Sequence, residues 1–409
     1  MKPTGPIPPE FAGEGPLLIG GETAEALAAR AGDTPLFVYD LGVVRARVAR
    51  LRAALPAGVG VHYAVKANPF APLVAALAGL TDGLDVASEG EMRLALAAGG
   101  AAGGTAVSFA GPGKRDREIA AAIDAGVTIN LESEGEAERT LAIAGRAGRT
   151  PKLAVRVNPD FDLRGSGMRM GGGAKPFGVD AARVPALVRR LIAAGAEWRG
   201  FHVFAGSQAL DAGAIAEAQA ATVALAGELA EAAGAPPPLV NLGGGFGVPY
   251  FAGDVALDVE AVGGALAQTL AARPAVLADS AFAVELGRWL VAEAGVYLTR
   301  IVDRKTSHGE TFLVTDGGLH HQLAASGNFG TVVRRNYPIA LASGAGGPVE
   351  TVSVVGCLCT PLDRLGDAVA LPRAAVGDLI AVFLAGAYGA SASPAAFLGH
   401  PAAAEMLVG

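Results

Sequence analysis

The chain has 409 residues, of which 51% are hydrophobic and 17% charged, and a net charge of −7. That length exceeds one ordinary domain, and the apolar content supports a large core. No basic stripe with interleaved aromatics is present, and no apolar run reaches membrane-spanning length without breakers, so neither nucleic acid nor a membrane is an expected partner.

Residues 1–21 carry Pro and Gly where a secretory leader needs a basic patch and an apolar core, so a cytoplasmic protein is expected. From about residue 40, short β-like runs alternate with longer Ala/Leu-rich helical patterns. Eight strands are predicted: Val61–Val65, Leu84–Ala87, Ala106–Phe109, Val127–Leu131, Leu153–Val157, Gly200–Phe204, Leu239–Leu242 and Phe282–Glu285. Helices are predicted between them, among them Glu89–Ala98, Lys114–Ala125, Glu134–Ala147, Ala181–Ala194 and Ala212–Ala233. Such alternation gives parallel β-structure with right-handed crossovers. Eight units fit a (β/α)8 barrel over residues 40–285, with a doubly wound open sheet as the alternative.

After Arg288 the pattern changes. Ala294–Val302, Thr311–Asp316, Thr351–Val355 and Leu379–Leu384 are β-like, with Gly/Pro-rich connections. They predict a mostly antiparallel β domain over residues 286–409, joined by residues 1–39 with β-like Leu17–Ile19 and Leu36–Tyr39. Two cysteines, Cys357 and Cys359, lie one residue apart. A disulfide between them would be strained, and no second pair of ligands has the spacing of a metal site, so no metal is expected.

Polar residues gather at the ends of the predicted strands, where a (β/α)8 barrel carries its chemistry. The first strand ends at Lys66 and Asn68, the second contains Asp85, and the third leads to Lys114. The fourth reaches Glu132, and the fifth ends in Arg156, Asn158 and Asp160. The sixth carries His202, Phe204 and Ser207, the seventh runs into Gly243-Gly244-Gly245, and the eighth ends at Glu285, Gly287 and Arg288. Singly, each is an ordinary cap or solvated loop; together they outnumber what a fold needs. A lysine ending an apolar strand is a nucleophile toward aldehydes or a side chain that snorkels to the surface. The glycine run lets backbone N–H groups close on an anion, or is a plain turn. Glu285 is an ion-pair partner of Arg288 or the carboxylate that keeps a pyridine nitrogen protonated. His202 and Phe204 share one side of their strand and offer a flat ring for stacking, or are core residues. Lysine, phosphate loop, carboxylate and ring together suit pyridoxal phosphate.

These motifs resemble the fold-type III pyridoxal-phosphate decarboxylases, which include diaminopimelate, ornithine and arginine decarboxylases. The matching pieces are Tyr63-Ala64-Val65-Lys66-Ala67-Asn68, Asp85-Val86-Ala87-Ser88, Arg156-Val157-Asn158-Pro159, His202 to Gln208, Gly243 to Gly247, Glu285-Leu286-Gly287-Arg288, Cys359 to Asp363 and Gly386-Ala387-Tyr388-Gly389. Phe204-Ala205-Gly206-Ser207-Gln208 and Gly356 to Asp363 look most like the decarboxylases associated with exosortase and exopolysaccharide gene clusters. The resemblance implies that Lys66 holds the cofactor covalently and Glu285 binds its ring nitrogen, with Asp85 and Arg156 in support. It places Ser207, Gly243, Gly244, Gly245, Gly287, Arg288 and Tyr388 around the phosphate or neighbouring substrate groups. It makes Cys359, entering from the second subunit of a homodimer, the acid that protonates the substrate carbon after CO2 leaves.

Two departures bear on the substrate. Members of the family usually follow the cysteine with an acidic residue that reads a distal ammonium; here Thr360 stands there, with Asp363 three residues on. The family's usual second histidine before Gly206-Ser207 is Phe204. Arg334 and Tyr337 are candidates for a distal carboxylate. The expected activity is α-decarboxylation of a diaminopimelate-like amino acid, or of one bearing an acyl or carrier-protein appendage. A racemase, or a non-catalytic pyridoxal-phosphate protein, is the alternative. Glu285, where such racemases place an arginine, and the C-terminal β domain argue for the decarboxylase.

Overall fold

The computed structural model describes residues 1–99, 105–165, 167–327, 335–344 and 347–409. The chain forms two compact units, one of residues 48–247 and 257–287, the other of residues 1–47, 248–256 and 288–409.

The first unit is a closed parallel barrel. Its strands are β1 (Val59–Ala64), β2 (Gly83–Val86), β3 (Ala106–Phe109), β4 (Thr128–Leu131), β5 (Lys152–Asn158), β6 (Glu197–Val203), β7 (Leu239–Asn241) and β8 (Ala281–Leu286). Each pairs in parallel with the next, and β8 pairs back onto β1 through Phe282↔Val59 to Leu286↔Tyr63. That closure excludes the open sheet. Apolar residues fill the strands because both faces of a parallel barrel are covered.

The crossover helices start where their sequences say they should. Helices Glu89–Ala97 and Glu134–Ala147 both open with Ser-Glu-Gly-Glu, and Ser88 and Ser133 accept the backbone N–H groups of Glu91 and Glu136. In each, the second glutamate folds back: Glu91 accepts the N–H of Ala87 and Glu136 that of Glu132, which ties each helix start to the preceding strand end. Asp211 caps Ala212–Ala233, which ends on left-handed Gly234.

The second unit is a sheet in the order Ile339–Leu341, Leu379–Val382, Gly295–Ser307, Glu310–Thr315, Val349–Val355, Arg364–Pro372. Leu36–Asp40 pairs with Gly295–Ser307 and with Ala404–Val408. Its pairings are antiparallel except Glu310–Thr315 with Val349–Val355, and Leu36–Asp40 with Ala404–Val408. The units divide after residue 47 rather than at residue 40, and residues 248–256 group with the second unit although they lie inside the span expected for the barrel. The Cys357–Asp363 segment is a loop between two strands, not a strand. No helix among the described residues is long and apolar enough to cross a membrane.

Candidate active site

Lys66 lies just past β1, in a 3-10 turn over Val65–Ala67. Its neighbours fix that turn: Asn68 donates to the Val65 carbonyl at 3.0 Å, and the Tyr63 hydroxyl donates to the Asn68 carbonyl at 2.9 Å. The Lys66 ammonium is 3.1 Å from Glu285 Oε1 at the end of β8 and 4.8 Å from the centre of the Phe204 ring beyond β6. His202 Nε2 lies 2.8 Å from the other oxygen of Glu285. Burial works to raise the Glu285 pKa, but the charge of Lys66 and the hydrogen bond from His202 outweigh it and hold the carboxyl well below its ordinary range. Glu285 is therefore a buried, ionised acceptor between a lysine and a histidine whose Nδ1 has no partner among the described residues.

A second cluster stands beside it. Asp85 at the end of β2 faces His62 Nδ1 at 3.3 Å and Asn241 Nδ2 at 3.5 Å. Burial depresses the His62 pKa, but the charge and hydrogen bond of Asp85 win and raise it. Asn241 in turn accepts the N–H of Gly243 at 2.9 Å, so Asp85 steers the start of the glycine run through one intermediary. Sequence reasoning named Asp85 but missed His62 and Asn241. The missed signal was a polar residue in the middle of an apolar strand, at the register position opposite Glu285.

The glycine run is compelled by close backbone approach. A Cβ on Gly243 would lie 2.3 Å from the Val203 carbonyl oxygen, and one on Gly244 1.9 Å from that of Glu285. One on Gly245, at φ +92°, would lie 2.7 Å from the Gly206 carbonyl oxygen. Only glycine lets β6, β7 and β8 converge here. Gly287 does the same for the lysine turn, since its Cβ would meet that of Ala67 at 2.7 Å. Ser207 lies half-buried in a two-residue strand, Gly206–Ser207, which pairs with the backbone of Met168–Arg169.

Arg156 is placed differently from the expectation. Its Nη1 is 2.8 Å from Glu132 Oε1, and its guanidinium lies 5.0 Å from the Phe177 ring. Glu132 also accepts the N–H groups of Gly111 and Gly178. Next to it, buried Lys114 donates to Glu136 and to the carbonyls of Gly111 and Asn130. Burial pushes the Lys114 pKa down; it would raise that of Glu132, but Arg156 and Lys114 overcome it. Arg156 thus belongs to an ion network that braces the loops after β3, β4 and β5.

The remaining expected residues lie in the second unit. Arg288 donates to the Tyr250 hydroxyl at 2.9 Å, and its guanidinium is 4.7 Å from the Tyr388 ring. Arg288 Nε is buried with no partner among the described residues. Tyr388 sits at φ +55°, a strained value for a residue with a Cβ. Tyr337 packs on Tyr250 with ring centres 4.8 Å apart and is buried. Tyr250 was absent from the sequence reading. Arg334 lies outside the described residues. Cys359 is exposed. Thr360 accepts the N–H of Leu362 at 3.3 Å within its own loop. Asp363 is not turned toward a ligand: its oxygens accept the N–H groups of Leu319 at 2.6 Å and Leu358 at 2.9 Å, and its side chain is buried.

The barrel residues fit a phosphorylated pyridine aldehyde. An amine and an ionised carboxylate lie within reach of each other at strand ends, a flat ring flanks the amine, and a run of bare backbone stands beside the carboxylate. Such a set on a (β/α)8 barrel with a separate β unit defines a pyridoxal-phosphate enzyme of the alanine-racemase-like fold. Comparison with known proteins narrows the class. Residues 41–292 match the pyridoxal binding domain of the pyridoxal-dependent decarboxylases. The chain is 37% identical over 388 residues to the L-glutamyl-[BtrI acyl-carrier protein] decarboxylase of Niallia circulans, covering 92% of this chain and 89% of that one. It is 31% identical to the diaminopimelate decarboxylase of Methanothermobacter thermautotrophicus, covering 97% and 91%. The crystal structure of M. jannaschii diaminopimelate decarboxylase with L-lysine superposes with a TM-score of 0.84 at 26% identity, covering 99% and 92%. The chain belongs to the pyridoxal-dependent decarboxylases of fold-type III, and it is a pyridoxal-phosphate-dependent amino-acid carboxy-lyase.

Proposed function

We propose that the substrate is an α-amino acid whose distal end is carried on an acyl group or a carrier protein, rather than a free basic amino acid. The observation that carries this is the 37% identity, over nearly the whole chain, to a decarboxylase of a carrier-linked glutamyl group. The second unit supports it. Thr360 stands where the family usually has an acid, and Asp363 spends its carboxylate on two backbone amides. Neither can offset the ammonium of lysine, ornithine or diaminopimelate, and an unpaired buried ammonium is strongly disfavoured.

The geometry and the family resemblance together support the following residue roles. When bound, pyridoxal phosphate supplies a ring that takes up the electron pair left as the bond between Cα and the carboxylate breaks. Lys66 would hold the cofactor. Glu285, kept ionised by Lys66 and His202, accepts the ring N–H. His202 is committed to Glu285, so Phe204, beside the lysine, is the ring that flanks the cofactor. Asp85, through Asn241, sets the Gly243–Gly245 backbone for the phosphate. Arg156 acts at one remove, by bracing Glu132 and the neighbouring loops. The resemblance gives Arg288 and Tyr388 a role in binding the phosphate or the substrate. Cys359, from a second copy of the chain, returns a proton to the substrate carbon, so the working form is a homodimer. We place it in the cytoplasm on the Pro- and Gly-bearing character of residues 1–21, and in an exopolysaccharide-type biosynthetic setting on the resemblance of its Phe204–Gln208 and Gly356–Asp363 segments.

The test is CO2 release by the cofactor-loaded protein from meso-diaminopimelate, lysine, ornithine, arginine, glutamate and carrier-linked glutamate. Release confined to the tethered amino acid is the expected result. Turnover of diaminopimelate or a basic amino acid at a comparable kcat/KM would overturn the substrate proposal while leaving the decarboxylase intact.

A further inference from the structure

In the second unit three side chains from distant parts of the chain converge: His320, Cys357 and His400. Their ligating atoms all lie within 4.8 Å of one another. The Cys357 sulfur is 3.8 Å from each ring nitrogen of His400, and the rings of His320 and His400 are 5.2 Å apart. His320 is fully buried, and neither of its nitrogens has a hydrogen-bond partner among the described residues. Two unmade hydrogen bonds on one buried imidazole are costly unless something else binds there. The adjacent His321 shows the contrast: its Nδ1 meets the Tyr297 hydroxyl at 3.1 Å and its Nε2 the Pro401 carbonyl at 2.9 Å.

Neighbouring contacts hold all three segments in place. Asp363 accepts the N–H of Leu319, next to His320, with one oxygen, and that of Leu358, next to Cys357, with the other. A Cβ on Gly318 or Gly356 would strike that carboxylate at 2.2 and 2.3 Å, so both glycines admit it. His321 fixes Pro401, next to His400. An outer shell that orients the ligand-bearing segments is the usual companion of a metal site.

We infer that His320, Cys357 and His400 form a site for a divalent transition-metal ion of the Zn2+ type, with an exchangeable fourth position. Two imidazoles and a thiolate with one open position suit that ion. Ligand atoms on a tetrahedral zinc stand roughly 3.3–3.6 Å apart given its bond lengths, so closure requires side-chain rotation that turns a ring nitrogen of His400 toward the ion. Binding forms the metal–sulfur bond and releases the Cys357 thiol proton to solvent. The sequence expectation of no metal rested on the spacing of the cysteines, and these ligands follow no such motif. The bound ion would also pin the loop that carries Cys359 and Thr360.

The experiment uses the full-length cofactor-loaded protein without a histidine tag, stripped with a chelator and titrated with Co2+. The expected result is one equivalent bound per chain, with tetrahedral d–d absorption and a thiolate charge-transfer band measured as a difference from Cys357→Ser. Cys357→Ser and His400→Ala should lose the band while keeping the circular dichroism and cofactor absorbance of the folded protein; Cys359→Ser should retain it. Absence of saturable Co2+ binding by the wild-type protein, or an unchanged band in folded Cys357→Ser, would overturn the inference.

Discussion

Two lysines of the barrel face glutamates across comparable distances, and they do different things. Lys114 lies 2.7 Å from Glu136 with its side chain 1% exposed, and Lys66 lies 3.1 Å from Glu285 with its side chain 40% exposed. Lys114 also donates to two backbone carbonyls, and its network continues through Glu132 to Arg156 and the amides of Gly111 and Gly178. Every charge there is matched and sealed. At Lys66 the carboxylate is buried and matched, the lysine side chain is 40% exposed beside Phe204, and the partner histidine keeps one nitrogen without a partner among the described residues. A closed network holds a fold; an open one is built to take a ligand. The position of a polar residue at a strand end does not separate the two cases, whereas the exposure of its side chain does.

The largest expected effect sets the two against each other. Lys66→Ala should prevent borohydride from trapping a covalent cofactor adduct and lower turnover on the order of 10²–10⁴-fold, with little change in thermal stability. Lys114→Met leaves Glu136 and Glu132 short of a buried cation and should destabilise by about 3–5 kcal/mol, while the folded fraction still yields the adduct. Adduct trapping and denaturant unfolding on both variants read the contrast. A folded Lys114→Met with no adduct, or a Lys66→Ala that traps cofactor on another lysine of the barrel, would collapse it.

A smaller effect comes from the pair that sequence reasoning half missed. His62 has its pKa raised by Asp85 against the pull of burial. A group whose pKa is higher folded than unfolded lends stability that is fully present below about pH 6.5 and is lost as pH rises through the folded value. His62→Gln should therefore cost about 1.5–3 kcal/mol near pH 6 and less at pH 9, measured by unfolding at each pH. A cost that stays flat or grows with pH would mean that His62 is neutral in the folded chain and that Asp85 is held by Asn241 alone.

How much of this was legible follows from where each signal resides. The barrel strands were readable because an apolar run bounded by turn residues is a local property, and the Ala/Leu-rich helical patterns between them are local too. Glu285 and Lys66 were readable because each breaks such a run at its end. The His62–Asp85 contact was not, because it depends on strand register, which brings Ala64 opposite Asp85 and His62 opposite Glu285. The strand Arg364–Pro372 escaped because it opens with charge and glycine and bends at Ala368, φ +50°. The cluster of His320, Cys357 and His400 is set by tertiary packing. Asp363 looked like a substrate ligand because it sits in a matching motif; the structure turns it inward to bind two loops.

The smallest effect tests one of the two positions at which the sequence departs from the family it resembles. Phe204 stands where the family resemblance expects a histidine, and its ring centre is 4.8 Å from the Lys66 nitrogen. If the position supplies only a flat ring against the cofactor face, then Phe204→His restores the family residue at little cost. Aromatic packing of this kind contributes about 0.5–1.5 kcal/mol, so Phe204→Ala should lose up to about tenfold in kcat/KM and Phe204→His less than that. His202 is already engaged by Glu285, so a new imidazole at position 204 has no carboxylate to compete for. Both variants should keep the pH profile of the wild-type enzyme. A Phe204→His variant whose profile gains an ionisation near neutral pH, with turnover changed by well over tenfold, would show that the ring at this position handles protons and that its replacement by phenylalanine reshaped the chemistry as well as the packing.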